Sequence, residues 1–258
     1  PSSQFIQHII FIRTNIVFLK SDHINSLPSH FQRGSLFWEL IHDICFMLFK
    51  HPFPLFSFKE SLIVLGGIEA SLRRIVHYDF WSNKLRKPVI FDAKADILSY
   101  GMGEKSMVQL ARAIEKGESY KNIRGLCYID KEKKDGYSEL PSFDECVNDK
   151  DKFVEAFNLF YKNNDPITAK GLVQKIDTRY LIQNPPSENL TSEELDKVYD
   201  IEYERDVHPY YKKDGEVKAL ETIKYSITTH RGCYGECNFC AIAVQKNKIW
   251  THYVKSVL

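Results

Sequence analysis

Three cysteines, Cys233, Cys237 and Cys240, fall within eight residues near the C-terminal end of the sequence. They follow an alternating, β-branched run, Thr222-Ile-Lys-Tyr-Ser-Ile-Thr-Thr229, which predicts a strand leading into the cysteines. The spacing, C-x3-C-x2-C, needs a loop that turns tightly enough to aim three sulfurs at one point, and Gly232 and Gly235 permit such turns. The other three cysteines, Cys45, Cys127 and Cys146, are scattered. A disulfide framework spreads its cysteines and suits short secreted chains, whereas this clustering suits a metal site in a reducing cytoplasm.

Three thiolates on one loop can hold three irons of a cubane cluster, where an electron-transfer cluster ordinarily uses four Cys. The fourth iron is then open to a ligand from outside the protein, as S-adenosylmethionine requires for its amino and carboxylate groups. An electron from the reduced cluster can cross to the sulfonium and break a carbon–sulfur bond, chemistry that the cofactors carry and the protein positions. Zinc is the rival, because His230-x2-Cys233-x3-Cys237-x2-Cys240 can make a closed Cys3His site in a non-catalytic interaction module. Cys45, Cys127 and Cys146 read as small buried apolar residues.

Ahead of this loop the composition changes near residue 60. The first sixty residues hold ten of the seventeen Phe, none of the fourteen Tyr and nine charged residues. They show no clean helical or strand period beyond an irregular helical stretch over Leu36–Phe49, and residues 1–61 are treated as an atypical N-terminal segment. From Leu62 the signals become regular. Leu62–Leu65 predicts a buried strand stopped by Gly66-Gly67, and Val89–Phe91 and Ile97–Tyr100 predict further strands. Met107, Leu110, Ala111 and Ile114 repeat at helical spacing, with Gly117 as C-cap. Gly125–Asp130 and Tyr137–Leu140 flank Asp135-Gly136, a hairpin signal. Phe153, Phe157, Phe160 and Tyr161 lie on one face of a predicted helix, Arg179–Ile182 is extended, and Thr191-Ser-Glu-Glu194 is a capping box. Strand, glycine turn, helix is the rhythm of an α/β fold.

The aromatic Phe239 inside C-x3-C-x-aromatic-C makes the loop resemble the cluster motif of the radical S-adenosylmethionine (SAM) superfamily. Gly66-Gly-Ile-Glu-Ala-Ser-Leu-Arg-Arg74, His77-Tyr-Asp-Phe-Trp81, Tyr100-Gly-Met-Gly-Glu104, Tyr180-Leu-Ile-Gln-Asn-Pro-Pro186 and Ser226-Ile-Thr-Thr-His-Arg-Gly-Cys233 resemble its bacterial YgiQ-type group over about 62–244. The resemblance implies an enzyme of unassigned substrate that holds a 4Fe-4S cluster through Cys233, Cys237 and Cys240. It also implies S-adenosylmethionine as cofactor, Phe239 packed beside the cluster or the adenine, and a reductant such as flavodoxin or ferredoxin. It divides the chain into a partial Rossmann-like, cobalamin-domain-like half-domain over 62–138, a mixed connector over 139–219, and the start of a radical SAM partial (β/α) barrel over 220–258. The cobalt-ligating D-x-H-x-x-G is absent, so cobalamin is not expected. Residues 1–60 depart from the group, and eighteen residues follow Cys240, so the chain is expected to be a fragment, inactive by itself.

The remaining features decide less. Lys plus Arg number 35 against 34 Asp plus Glu, and no strongly basic field argues for nucleic acid. No apolar run reaches the roughly 18 residues of a membrane span, and Pro1–Lys20 is not a secretory signal. Gly66-Gly67 and Gly101-x-Gly103 read as structural turns. Glu69, Arg73, Arg74, His77, Asp79 and Trp81 form either ordinary surface or an inter-domain or substrate-facing patch, in which Arg73 and Arg74 could pair carboxylates or phosphates.

Overall fold

The computed structural model describes residues 9–12, 15–18, 62–200, 206–226, 230–231, 237, 240 and 250–251. The fold is mixed α/β. In chain order its elements begin with β1 (Ile9–Ile12), β2 (Asn15–Phe18), β3 (Ile63–Leu65), α1 (Gly67–Leu72), β4 (His77–Asp79) and β5 (Lys84–Arg86). They continue with α2 (Val89–Asp92), β6 (Ile97–Ser99), α3 (Glu104–Lys116), β7 (Leu126–Asp130), β8 (Ser138–Leu140), α4 (Phe143–Asn148) and α5 (Lys150–Lys162). Then come β9 (Leu172–Ile176), β10 (Arg179–Gln183), α6 (Ser192–Tyr199), a 3-10 turn over Pro209–Asp214, α7 (Lys218–Ile223), β11 (His230–Arg231) and β12 (Trp250–Thr251).

Eight strands make one sheet in the order β1-β2-β3-β6-β7-β10-β9-β8. Two pairings, β3 with β6 and β8 with β9, are parallel, and the rest are antiparallel. Within residues 62–138 the one parallel pairing is β3 with β6; β6–β7, β7–β10 and β10–β9 are antiparallel, and the parallel pairing returns at β8–β9. The first sixty residues contribute two strands that their composition did not announce, and β2 pairs directly with β3. The helical expectation over 36–49 lies outside the described residues.

Alternation along the central strands explains the layering. Ile63 and Leu65, Leu98, and Cys127 face a core that includes Ile75, Ile90, Phe160 and Leu181. Val64, Ile97 and Leu126 face the other way, onto Leu110 and Ala111 of α3. Both sheet faces are covered, which is why these strands are apolar throughout. Helix α3 carries its apolar stripe as the spacing predicts. It ends at Gly117, whose left-handed φ of 68° lets its N–H reach the carbonyls of Ala113 and Ile114. Ser142 with Glu145 and Thr191 with Glu194 form complete capping boxes at the starts of α4 and α6.

Three expectations are corrected. Val89–Phe91 is not a strand but the body of α2: Pro88 leads into a helical turn closed from Ala93 N–H to the Val89 carbonyl at 2.8 Å. A three-residue apolar run does not distinguish the two conformations. Asp135-Gly136 does turn, with Gly136 at φ 77°, but the strands on either side do not pair. β7 pairs with β10, and β8 runs parallel to β9. The two-residue hairpin is instead β9–β10, through Asp177 at φ 52°. The helix expected from Phe153, Phe157, Phe160 and Tyr161 is α5; Phe160 is buried and Phe153 half-buried, while Phe157 and Tyr161 are exposed and stack on each other at 6.2 Å. Finally, Thr222 and Ile223 end α7 rather than start a strand. The Thr222 hydroxyl donates to the Ala219 carbonyl at 2.8 Å, a bond that makes a β-branched residue tolerable in a helix.

Candidate functional site

The approach to the cysteines is a short ladder. His230 pairs with Thr251 and Arg231 with Trp250, antiparallel, so the two ends of the stretch 232–249, which contains all three cysteines, are held side by side. Within it, the Cys240 N–H donates to the Cys237 carbonyl at 2.8 Å, closing a turn around the C-x2-C step. Both thiols are free; Cys237 is exposed and Cys240 half-buried. Cys233 and Phe239, and the turn made by Gly232 and Gly235, lie outside the described residues. Among the described residues no three His, Cys, Asp or Glu side chains gather as a metal group.

The other described cysteines behave as apolar filler. Burial pushes the Cys127 thiol up to about 12 and the Cys146 thiol up to about 11, leaving neither available as a thiolate near neutral pH. Cys45 lies outside the described residues.

The polar stretch after β3 is where the structure departs furthest from a surface reading. Arg74 is fully buried. Its Nε donates to Gln183 Oε1 at 3.1 Å, its Nη2 to Asn164 Oδ1 at 2.8 Å, and its Nη1 to the Ser71 carbonyl. The rings of Tyr100 and Phe160 sandwich the guanidinium, each centroid 4.3 Å from Cζ. No carboxylate is among these partners, so Arg74 is a structural rivet and not an anion receptor. The amides that hold it come from chain positions 109 and 90 residues away, so no local signal could reveal them.

Arg73 stays at the surface, pairing with Glu69 at 2.8 Å and donating from Nε to His77 Nε2 at 2.9 Å. His77 Nδ1 lies 3.1 Å from the Ile75 carbonyl. A ring that accepts at Nε2 and donates at Nδ1 is neutral, and burial lowers the His77 pKa from its ordinary value. The glycine pairs are turns, as read: Gly67 and Gly101 have φ of 86° and 73°, and the Gly101 N–H donates to Ser71 Oγ at 3.1 Å.

Comparison with known proteins identifies the family. Residues 56–226 match the family model described as Radical SAM N-terminal. The chain belongs to the radical SAM N-terminal family. It is 69% identical over 186 residues to a UPF0313 protein of Fusobacterium nucleatum, covering 72% of this chain and 33% of that protein. A UPF0313 protein of Thermotoga petrophila is 48% identical over 188 residues, 72% of this chain and 33% of its own length. One of Clostridium botulinum strain Okra is 46% identical over 199 residues, 75% of this chain and 31% of its own length. The chain thus spans about a third of the length of these UPF0313 relatives. No solved structure matches it. No helix among the described residues is long and apolar enough to cross a membrane.

Proposed function

We propose that this chain carries the cluster loop of a radical SAM enzyme of the UPF0313 group, with Cys233, Cys237 and Cys240 as its three thiolate ligands. The observation that carries the reading is the family match over residues 56–226, directly ahead of a C-x3-C-x2-C segment. The donor chemistry fits: soft thiolates suit an iron–sulfur cluster, and the two described cysteines are free and stand on a hydrogen-bonded turn. Phe239, between the last two ligands, would pack beside the cluster or the adenine of S-adenosylmethionine. When bound, the cluster and S-adenosylmethionine together supply one-electron chemistry that opens a carbon–sulfur bond. The chain's own part is to present three thiolates and to hold the loop ends together through β11 and β12 at the opening of the catalytic barrel.

The substrate and reaction are those of the whole polypeptide. A small redox protein such as flavodoxin or ferredoxin would supply the electron, in the cytoplasm, where clustered thiols stay reduced. With the share of the family's length present here, turnover of S-adenosylmethionine would be slight, because orientation of the cofactor carries much of any rate gain.

Anaerobic reconstitution tests the reading. The protein should turn brown and hold about four irons per chain with matching acid-labile sulfide. Cys237→Ala should abolish both. Stoichiometric zinc without sulfide would replace the enzyme reading with a Cys3His interaction module.

A further inference from the structure

The two-stranded hairpin β4–β5 ends in two aromatic side chains that no described residue covers. Phe80 is 76% and Trp81 92% exposed, with their rings 5.9 Å apart and edge-on, and Tyr78 beside them is 52% exposed. A single exposed aromatic is ordinary on a protein surface; three within four residues on one projecting turn are not.

The tip is also stiff. The Tyr78 hydroxyl donates to Asn83 Oδ1 at 2.7 Å. The Ser82 hydroxyl and N–H donate to Asp79 Oδ2 at 2.5 and 3.3 Å, and Arg86 pairs with the same carboxylate at 3.5 Å. Asn83 takes the left-handed turn position at φ 51°. The base is tied down as well: Arg73 binds His77 on one side, and Lys87 pairs with Asp177 at 2.5 Å on the other. Aromatic anchors held in advance lose little entropy on docking, which is the character of an interface hot spot. Leu85 at the base packs into the same small cluster as Phe153 of α5. Farther along α5, Val154, Phe157 and Tyr161 are exposed at helical spacing, which widens the apolar surface on this element.

We propose that the β4–β5 tip is the docking surface for the remaining two-thirds of a UPF0313 polypeptide, with Phe80 and Trp81 seated in an apolar recess of that part. The choice of a tethered occupant rests on length. The match spans 33% of the Fusobacterium nucleatum protein, so most of such a polypeptide travels attached to this domain. A tethered partner meets the tip at high effective concentration, so a small aromatic anchor is enough. A free partner or a second copy would have to repay the full cost of association from the same few side chains. The inference does not depend on cluster ligation.

A chimera tests it: residues 62–226 replace the matching span of the full-length Fusobacterium nucleatum protein, with Trp81→p-benzoylphenylalanine as photo-crosslinker and Glu118→p-benzoylphenylalanine as control. The expected result is a cross-link from position 81, at monomer mass, to residues outside the grafted span, with none such from position 118. Cross-links at dimer mass, cross-links confined to residues 62–226, or none from position 81 would each overturn the proposal. A second readout uses Phe80→Ser with Trp81→Ser. The pair should lower the melting temperature of the chimera by about 2 °C or more and leave that of the present chain unchanged. Equal shifts in both would make the rings a local structural feature and sink the docking role. Iron content of the chimera, measured separately, keeps failure of the cluster reading distinct.

Discussion

The guanidinium of Arg74 lies face-on to the ring of Tyr100, 4.3 Å from its centroid, in a part of the core that water does not reach. The Tyr100 hydroxyl in turn donates to the Asn184 carbonyl at 2.6 Å, so the pair joins the end of β6 to the segment leaving β10. Burial holds the phenol well above the ordinary tyrosine range, which keeps it neutral and a donor at any working pH. Arg74→Met should preserve side-chain length but leave Gln183 Oε1, Asn164 Oδ1 and the Ser71 carbonyl without their donor. The expected loss is about 3 kcal/mol or more in urea unfolding, because orphaned buried acceptors cost about 1–3 kcal/mol each. A loss under about 1 kcal/mol would mean that the sandwich is replaceable packing.

Thiol accessibility should sort the cysteines. Cys237 and Cys240 are free and reach solvent, whereas Cys127 is buried with its thiol pushed up to about 12. Brief iodoacetamide treatment of the native apoprotein at pH 8, read by peptide mass spectrometry, should alkylate Cys237 and Cys240 and spare Cys127 and Cys146. Urea should then expose the spared pair. Early labelling of Cys127 would contradict its place in the sheet.

Gly171 has no room for a side chain. A Cβ there would stand 2.1 Å from the Tyr137 ring, whose hydroxyl donates to Asn184 Oδ1 at 2.8 Å and whose face meets Lys134 Nζ at 4.8 Å. The ring cannot step aside without breaking those contacts. Gly171→Ala should therefore destabilise the fold by about 1–3 kcal/mol, the usual cost of overpacking. Gly117→Ala meets no neighbouring atom and should show only the strain of its left-handed φ of 68°. Thermal unfolding of the two variants, ranked the other way, would refute the packing argument.

His77 makes the hairpin base sensitive to acid. Its folded pKa is lowered from 6.5, chiefly by burial, so the unfolded chain takes up the proton first as pH falls. Stability from this group is complete above about pH 6.5 and declines as pH drops through and below that value toward the folded pKa. His77→Gln should flatten that part of the stability–pH curve relative to the parent. Histidine ring signals followed by NMR should show His77 titrating below 6.5; titration above it would reverse the sign and the argument.

What was legible in the residues alone is what lies close together along the chain. Strands β3 and β6, the stripe of α3 with its terminal Gly117, and the Thr191 capping box each declare themselves within a few residues, because backbone preference and side-chain period act locally. The proposed cluster loop rests on the same kind of local signal, three soft donors within eight residues. The side-chain partners of Arg74, by contrast, come from Tyr100, Phe160, Asn164 and Gln183, and a charged residue beside Arg73 looks like surface until distant amides and rings converge on it. The Asp135-Gly136 turn misled because a turn specifies a change of direction and not a neighbour. β7 bonds to β10 and β8 to β9, and only the assembled sheet decides that, since the open edge of a strand takes whichever partner also buries its apolar face.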